Sequence, residues 1–513
     1  MFNYYYKKFK QNAESCGLPL VMPETKNIAV IGAGISGMAA AIQLAAKGMQ
    51  VSIYEKNASF GGRGQAFQKE GFFFDMGPSW YWMPDVFEDF FNEFGKSCAD
   101  YFQLVRLDPS YQILFENEPV VVPAQVEETY ALFESIEPGS SIFLRKFLDQ
   151  ARIKYETGMK DFVRKPSLHW HEFFELRLLK AAFQIELFKS FEKSIFKNIK
   201  DYRLRQLLCF PVLFLGAKPS DTPALYSLMN YADLVLGTWY PIGGMHKLFE
   251  ALYQLALEKG VQFHFNTAIE KINIERGRTV GIQIQNQSIS CDAILSAADY
   301  HHTESALIDP AYRQYSDAYW ESRKMSPSAL IFYLGVSKKL DQLLHHNLFF
   351  KSDFNQHAAN IYDHPAWPEN PLFYVCVPSK TDAGVAPTGM ENLFILIPLA
   401  AGLQDSKTKQ DSLFSFAIDH LEKHTGQSIR DYIVVNERMS VADFYTAYNS
   451  FKGNAYGLSN TLLQTAVLKP RIRSKKVKGL YYAGQLSHPG PGLPPCLISG
   501  QISALQLLKD LKL

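Results

Sequence analysis

Short glycine-rich segments carry the residue types and spacing best suited to binding a charged, phosphate-containing molecule. The first places Gly32, Gly34 and Gly37 in a G-x-G-x-x-G pattern. There the first glycine permits a tight turn, the second lets backbone amides approach a pyrophosphate, and the third lets a helix pack against a strand. Glu55 follows at the distance where a carboxylate can accept hydroxyl hydrogens of a ribose. The pattern predicts a dinucleotide site; the alternative is a glycine turn that serves packing alone.

The elements around this pattern are those that such a site requires. Residues 28–31 form a continuous apolar run, as in a parallel strand that is covered on both faces. A helix of small and aliphatic residues follows, and a second strand at 51–54 ends on Glu55. The helix N-terminus presents N–H groups and a partial positive charge to a phosphate. The segment therefore predicts the start of a Rossmann-type α/β domain.

A second glycine cluster, Gly61-Gly62-Arg63, follows within a few residues. Its glycines keep the backbone open beside a ligand, and the planar arginine cation suits a pyrophosphate. The alternative is a hairpin with a surface arginine. Since a dissociable nicotinamide cofactor would not need this second anchor, the cluster favours a flavin dinucleotide.

Near the C-terminus, a strand at 480–483 leads through a glycine- and proline-rich loop into a helix at 496–511. A helix that begins after such a loop is again an anion site. If the first glycine loop binds the pyrophosphate, this loop can meet the other end of the same cofactor.

Charged residues on one predicted helix are candidates for acid–base chemistry. Arg145, Asp149 and Arg152 are three and four residues apart, so they share a face. One interpretation is a solvated ladder of salt bridges. The other is an acid–base cluster that faces a cleft.

The segment 171–196 combines aromatic and aliphatic residues with lysines and an arginine. An interfacial helix needs this mixture, with its apolar face among lipid chains and its cations toward headgroups. A buried helix of a globular domain explains the pattern equally well.

The composition argues against several classes of protein. A net charge of +1 gives no support for nucleic-acid binding, and no apolar run reaches the ~20 residues of a membrane span. The six cysteines form no C-x-x-C pair, so the sequence predicts no metal site and favours a reducing compartment. Residues 1–21 lack the apolar core of a signal peptide, and we interpret them as an extension, with Met22 as an alternative start.

Taken together, the motifs resemble the bacterial phytoene desaturase family of carotenoid biosynthesis. The likeness rests on IGAGISG with Glu55, GGR at 61–63, FDMGPS at 74–79, WYPIGGM at 239–245, SAAD at 296–299 and YYAGQLSHPGPGLPP at 481–495. The HPGPGLPP loop is the motif most specific to this family, because amine oxidases and other flavoproteins share the N-terminal motifs. Pro495-Cys496 is a mild departure from the family pattern.

The resemblance implies an α/β fold with a discontinuous Rossmann-type FAD-binding domain, an inserted mixed-sheet substrate domain and a helical membrane-facing subdomain. The expected organisation is an N-terminal extension (1–25), FAD-binding parts at 26–105, 237–300 and 441–513, a helical membrane-associated substrate region (106–236) and a substrate domain (301–440).

The resemblance also implies non-covalent FAD and desaturation of a long polyene, such as phytoene, by hydride transfer to flavin N5. The protein would lie in the cytoplasm, peripherally bound to the inner face of the cell membrane. Matching positions assign cofactor binding to Gly32, Gly34, Gly37, Glu55, Gly62, Arg63, Ile269, Gly484, Gln485 and Leu493, and catalysis to Asp149 and Arg152.

The sequence is also compatible with rival functions. A hydroxycarotenoid desaturase or a flavin-dependent polyene isomerase would use the same motifs. An amine-oxidase-like enzyme would need an aromatic cage and a polar cleft. A prenyl-binding escort protein that no longer uses FAD is disfavoured by the intact glycines, Glu55 and Arg63.

Overall fold

The computed structural model describes residues 25–166, 190–213, 216–465 and 468–512. The strands are β1 (Asn27–Ile31), β2 (Gln50–Tyr54), β3 (Ala66–Lys69), β4 (Phe72–Asp75), β5 (Leu104–Arg106), β6 (Tyr111–Leu114), β7 (Pro119–Val122), β8 (Trp239–Pro241), β9 (Gln262–His264), β10 (Lys271–Glu275), β11 (Arg278–Ile284), β12 (Gln287–Ser290), β13 (Ala293–Ser296), β14 (Ser328–Val336), β15 (His346–Phe349), β16 (Phe373–Cys376), β17 (Glu391–Leu399), β18 (Ile433–Met439) and β19 (Leu480–Tyr482).

The α-helices are α1 (Ile35–Ala46), α2 (Pro84–Asn92), α3 (Val126–Ile136), α4 (Ser140–Thr157), α5 (Phe191–Phe196), α6 (Tyr202–Leu213), α7 (Leu228–Leu234), α8 (His246–Glu258), α9 (Tyr300–Ala306), α10 (Asp317–Glu321), α11 (Phe354–Tyr362), α12 (Lys407–Thr425), α13 (Val441–Tyr448) and α14 (Leu493–Asp510).

A parallel sheet with the strand order β19-β13-β1-β2-β9 organises the first part of the fold. Ile28 to Ile31 of its central strand are buried, as the apolar run predicts. The strands come from three separated parts of the chain, 27–54, 262–296 and 480–482. This is the discontinuous Rossmann-type sheet expected from the sequence.

Helices α1 and α14 pack closely beside this sheet. A Cβ atom on Gly500 would collide with the carbonyl oxygen of Ser36, so only glycine permits this approach. The Ser36 hydroxyl also donates to the carbonyl oxygen of Cys496 at 2.7 Å. The first turn of α1 is therefore held against α14.

A second, mixed sheet has the strand order β18-β14-β17-β16-β15-β6-β7. Only the β6–β15 pair among these strands is parallel. Alternate residues of β14 face opposite sides: Leu330 and Phe332 pack in a core with α12, whereas Ile331 and Tyr333 pack in the core shared with the first sheet. The mixed sheet thus forms a wall against the Rossmann-type part.

Helices α3 to α7 pack on one another, and the Tyr111 hydroxyl of β6 donates to Asp233 Oδ2 of α7 at 2.8 Å. Most of the amphipathic segment 171–196 lies outside the described residues, so only its last part, including α5, is described. None of the helices in the described ranges is long and apolar enough to cross a membrane.

Candidate functional site

The two N-terminal glycine clusters face each other at the start of α1. Gly32 has a φ of +98°, and a Cβ on Gly37 would collide with the carbonyl oxygen of Gly32. A Cβ on Gly34 would project into open space, and one on Gly62 would lie 3.4 Å from Gly34 Cα. As the N-cap of α1, Gly34 offers no side chain to the first amides of the helix. These amides are left for an anion, which is the cradle that a pyrophosphate requires.

Glu55 is buried at the end of β2, and backbone amides fix its carboxylate. Oε2 accepts from Ala33 N and Oε1 accepts from Asn57 N, both at 2.9 Å. Each carboxylate oxygen keeps further lone-pair capacity for the hydroxyl groups of a ribose. The side chain also lines the cavity described below.

Arg63 extends from the second glycine cluster toward residues almost 400 positions later. Its Nη2 donates to Ser450 Oγ at 2.5 Å and to Asn454 O at 3.3 Å, and the guanidinium lies 5.2 Å from the centre of the Tyr448 ring. Its Nε has no hydrogen-bond partner among the described residues. Burial lowers the pKa of Arg63, while Asp299 acts in the opposite direction. A desolvated cation with spare donors fits a bound pyrophosphate.

Ile269 lies between β9 and β10, outside the sheet. The sequence pattern predicts strands at 261–265 and 268–274, but the observed strands are Gln262–His264 and Lys271–Glu275. The prediction was wrong at this boundary, because the chain leaves the sheet to pass along the cavity. Ile269, with Thr267 and Ala268, lines that cavity beside Glu55.

The C-terminal loop closes the opposite side of the site. Gly484 has a φ of +115°, and its amide donates to Ser499 Oγ at 3.0 Å. With its amide oxygen turned toward Arg63, Gln485 accepts from Nη2 at 2.8 Å. Leu493 starts α14 after Gly492, whose φ is +105°. Gly484, Gln485 and Leu493 all line the cavity, so the structure brings the three glycine-rich segments together.

One cavity of about 650 Å³ connects these loops with the mixed sheet. From the dinucleotide loops it continues along α11, where Ala358 and Tyr362 line it, to the side chains of Leu348 and Tyr374 on the sheet. Its wall in that direction is largely apolar and aromatic. The wall includes Trp80, Trp82, Phe210, Met229, Ile331, Phe350, Phe354, Ile361 and Phe373.

The aromatic side chains of the loop at 80–82 lie partly in the cavity wall and partly in the core. Trp80 and Trp82 line the cavity, whereas Tyr81 is buried and packs against Phe87. Trp80 stacks on the ring of His346, with 4.0 Å between ring centres. Sequence periodicity could not assign these three residues, because the loop is neither helical nor part of an extended strand.

Asp149 and Arg152 are not among the described residues that line the cavity. Both are exposed on α4, where Arg152 pairs with Glu156 at 3.3 Å and Arg145 lies over the ring of Tyr130. The placement agrees with the solvated charge ladder. Direct contact with a substrate in the cavity finds no support here, and the catalytic assignment of both residues stays a prediction.

Several residues of the site could not be found from local motifs. Ser450, Asn454 and Tyr448 contact Arg63, but their types and spacing resemble those of an ordinary turn. Tyr362 lines the apolar cavity with a hydroxyl that has no hydrogen-bond partner in the described part of the chain. Only the folded chain brings these groups beside the glycine loops.

Comparison with known proteins identifies related chains. Residues 35–508 match the family described as flavin containing amine oxidoreductase. A carotenoid 3,4-desaturase of Haloarcula japonica is 38% identical over 488 residues, covering 95% of this chain and 99% of the relative. A zeta-carotene-forming phytoene desaturase of Myxococcus xanthus is 32% identical, covering 94% of each chain. A 4,4'-diapophytoene desaturase of Staphylococcus haemolyticus is also 32% identical, covering 94% and 99%.

Solved structures share the fold at low sequence identity. An oxidoreductase from Methanosarcina mazei has a TM-score of 0.60 and 16% identity, covering 93% of this chain and 99% of the other. Putrescine oxidase bound to putrescine has a TM-score of 0.59 and 14% identity, covering 94% and 99%. The glycine cradle, Glu55 and Arg63 fit FAD, which is the cofactor that the family indicates.

Proposed function

This chain belongs to the carotenoid desaturases within the flavin-containing amine oxidoreductases, and we propose that it introduces carbon–carbon double bonds into a long polyene such as phytoene. The observation that carries the proposal is the continuous cavity, which joins the FAD loops to an apolar and aromatic wall. An amine substrate would instead need polar or charged groups at this wall.

When bound, FAD supplies the two-electron acceptor that desaturation requires and that no side chain can replace. The chain supplies binding, orientation and a dry environment. Arg63 and the amides at the start of α1 hold the pyrophosphate, while Glu55 fixes the ribose. Trp80, Trp82 and the other apolar wall residues hold the polyene and exclude water, so that charge developing on carbon is not quenched.

Desaturation also releases a proton from the carbon next to the one that loses hydride. The sequence nominates Asp149 as the base, but its exposed position on α4 offers no route to the described cavity wall. We therefore keep the FAD-binding residues in the proposal and leave the base unassigned.

The substrate is exchanged with lipid, for an energetic reason. Burying about 40 carbons at ~0.8 kcal/mol per CH₂ would release about 30 kcal/mol relative to water. Non-covalent affinities saturate near about −20 kcal/mol. If the polyene instead comes from and returns to a bilayer, transfer between two apolar phases nearly cancels. The enzyme then works at a membrane surface, and we propose the inner face of the cell membrane.

The experiment is to supply phytoene in liposomes to the FAD-loaded protein and to separate the products by chromatography. Products with longer conjugation support the proposal. A rearranged polyene with an unchanged number of double bonds would assign an isomerase. If only hydroxylated polyenes are turned over, the protein is a hydroxycarotenoid desaturase. Consumption of amines without any change in polyenes would overturn the proposal.

A further inference from the structure

Two histidines and a cysteine meet behind the cavity wall, outside the FAD-binding residues. His346 on β15 and Cys376 on β16 are directly paired across the two antiparallel strands. Side chains of directly opposed residues point to the same face of a sheet. His345 precedes β15, and its ring centre lies 4.5 Å from that of His346. One imidazole nitrogen of each histidine and the Cys376 sulfur all lie within 4.8 Å of one another.

Hydrogen bonds leave one nitrogen of each imidazole available. Nδ1 of His345 is 2.8 Å from Thr381 Oγ1, and Nδ1 of His346 is 2.7 Å from the Tyr374 hydroxyl. The two Nε2 atoms are buried and have no hydrogen-bond partner among the described residues. Leaving such atoms unsatisfied costs free energy. Metal-bound histidines show this arrangement, in which a second group fixes the nitrogen that does not bind the metal.

The chemistry of the cluster selects the ligand. Two imidazoles and a thiolate suit zinc and copper better than magnesium or calcium, which prefer oxygen ligands. Cys376 borders a small cavity of about 20 Å³, which has room for one water molecule beside this residue.

The geometry points to a metal site formed by His345, His346 and Cys376 that takes a thiophilic cation, Zn²⁺ or Cu⁺. The cation would displace the thiol proton and bind one nitrogen of each imidazole. Because His346 stacks on Trp80 and contacts Tyr374, the site would fix two aromatic residues of the substrate cavity. Its role is therefore structural, and it is independent of electron transfer to FAD.

The test is elemental analysis of the purified, FAD-loaded full chain, expressed in medium with added zinc and copper. We expect about one zinc or copper ion per chain, and the element found decides between the two cations. Cys376→Ser should lose the ion and keep FAD. Cys209→Ser is the matched control, since Cys209 on α6 is also buried but is not a member of the cluster, and it should keep the ion.

A second variant guards against misfolding. Thr381→Val removes only the partner of His345 Nδ1 and should weaken metal affinity about tenfold in a titration against a chromogenic chelator. Cobalt loading should add a sulfur-to-metal absorption band to the wild type that is absent in Cys376→Ser. Wild-type protein that contains FAD but no metal, and that takes up neither added Zn²⁺ nor Cu⁺, would overturn the site. Equal metal content in wild type and Cys376→Ser would also overturn it.

Discussion

Arg63 is the cation among the residues proposed to bind FAD. Its planar guanidinium has partners on Ser450 and Asn454, yet Nε keeps an unused donor in the described structure. Arg63→Lys retains the charge but removes the fork of parallel donors. We expect the Kd for FAD to rise about ten- to a hundredfold, since a hydrogen bond to a charged group contributes about 1.5–3 kcal/mol.

Fluorescence titration of the apoprotein with FAD measures this change. Arg430→Lys is the control, because Arg430 is an exposed arginine that pairs with Asp419 away from the cavity. An unchanged Kd for Arg63→Lys would show that the guanidinium fork does not bind the pyrophosphate.

His357 gives stability a defined dependence on pH. It lies buried on α11, with its Nε2 2.9 Å from Pro398 O and its Nδ1 accepting from Leu372 N. Burial lowers its pKa to about 4, below the ordinary value of about 6.5. Between these values the unfolded chain binds more protons, so the free energy of unfolding falls as pH falls from about 6.5 to about 4. The loss from this residue is about 3 kcal/mol at most.

Urea unfolding of the FAD-saturated protein across this pH range measures the effect. Relative to His357→Gln, the wild type should lose stability as the solution is acidified. His364→Gln should leave the slope unchanged, because the His364 side chain is exposed to water in the folded state. Parallel pH curves for the wild type and His357→Gln would contradict the prediction.

Sequence reasoning located the residues whose roles depend on local geometry. Gly32, Gly34 and Gly37 are recognisable because a turn and a helix start require them within six positions. The partners of Arg63 were not recognisable, since Ser450 and Asn454 are almost 400 residues away and contact it only after folding. The buried pair of His346 and Cys376 could not be recognised from the sequence for the same reason, since the two residues are 30 positions apart and meet only when adjacent strands pair.

At the scale of elements, exposed apolar residues on α4 allow a test of the proposed membrane binding. Ile142 and Ile153 are 61% and 45% exposed, and they lie three turns apart on one face of the helix. Ile142→Ser with Ile153→Ser should weaken binding to anionic liposomes, because less apolar surface would enter the lipid boundary. Co-sedimentation with vesicles measures the bound fraction.

The matched control replaces apolar residues that are equally exposed elsewhere. Val434 on β18 and Tyr445 on α13 are 53% and 64% exposed, and their replacement by Ser should leave binding unchanged. Equal vesicle binding by both double variants would argue against a contact between α4 and the proposed membrane surface.

Elements were predicted more reliably than their ends. The Rossmann-type strands follow from apolar runs, because both faces of a parallel sheet are buried. The ends differ where tertiary contacts override local preference, as at Ile269, which leaves the sheet to line the cavity. The exposed charge ladder on α4 shows the same limit: spacing places Asp149 and Arg152 on one face, but only packing shows which way that face points.

At the scale of the whole molecule, the cavity lies between two sheets, and segments of the two sheets alternate along the chain. The Rossmann-type sheet carries the cofactor loops, and the mixed sheet carries much of the apolar wall. Substrate length should therefore be limited by the distance that the cavity extends past α11, rather than by the cofactor site. A change on the cavity side of α11 can alter turnover without altering FAD binding.

Ala358 on α11 provides the decisive substitution. It is buried, lines the cavity and has a small side chain, so Ala358→Phe would fill part of the path beside Tyr362. We expect kcat/KM for a long polyene to fall about tenfold or more, because the added ring would occupy space that the polyene needs and overpacking an apolar site costs about 1–3 kcal/mol. Turnover of a shorter polyene should fall less, and the flavin content per chain should not change. Ala442→Phe, on the exposed side of α13, is the volume-matched control. If Ala358→Phe and Ala442→Phe turn over the long polyene equally well per bound flavin, the substrate does not pass along α11.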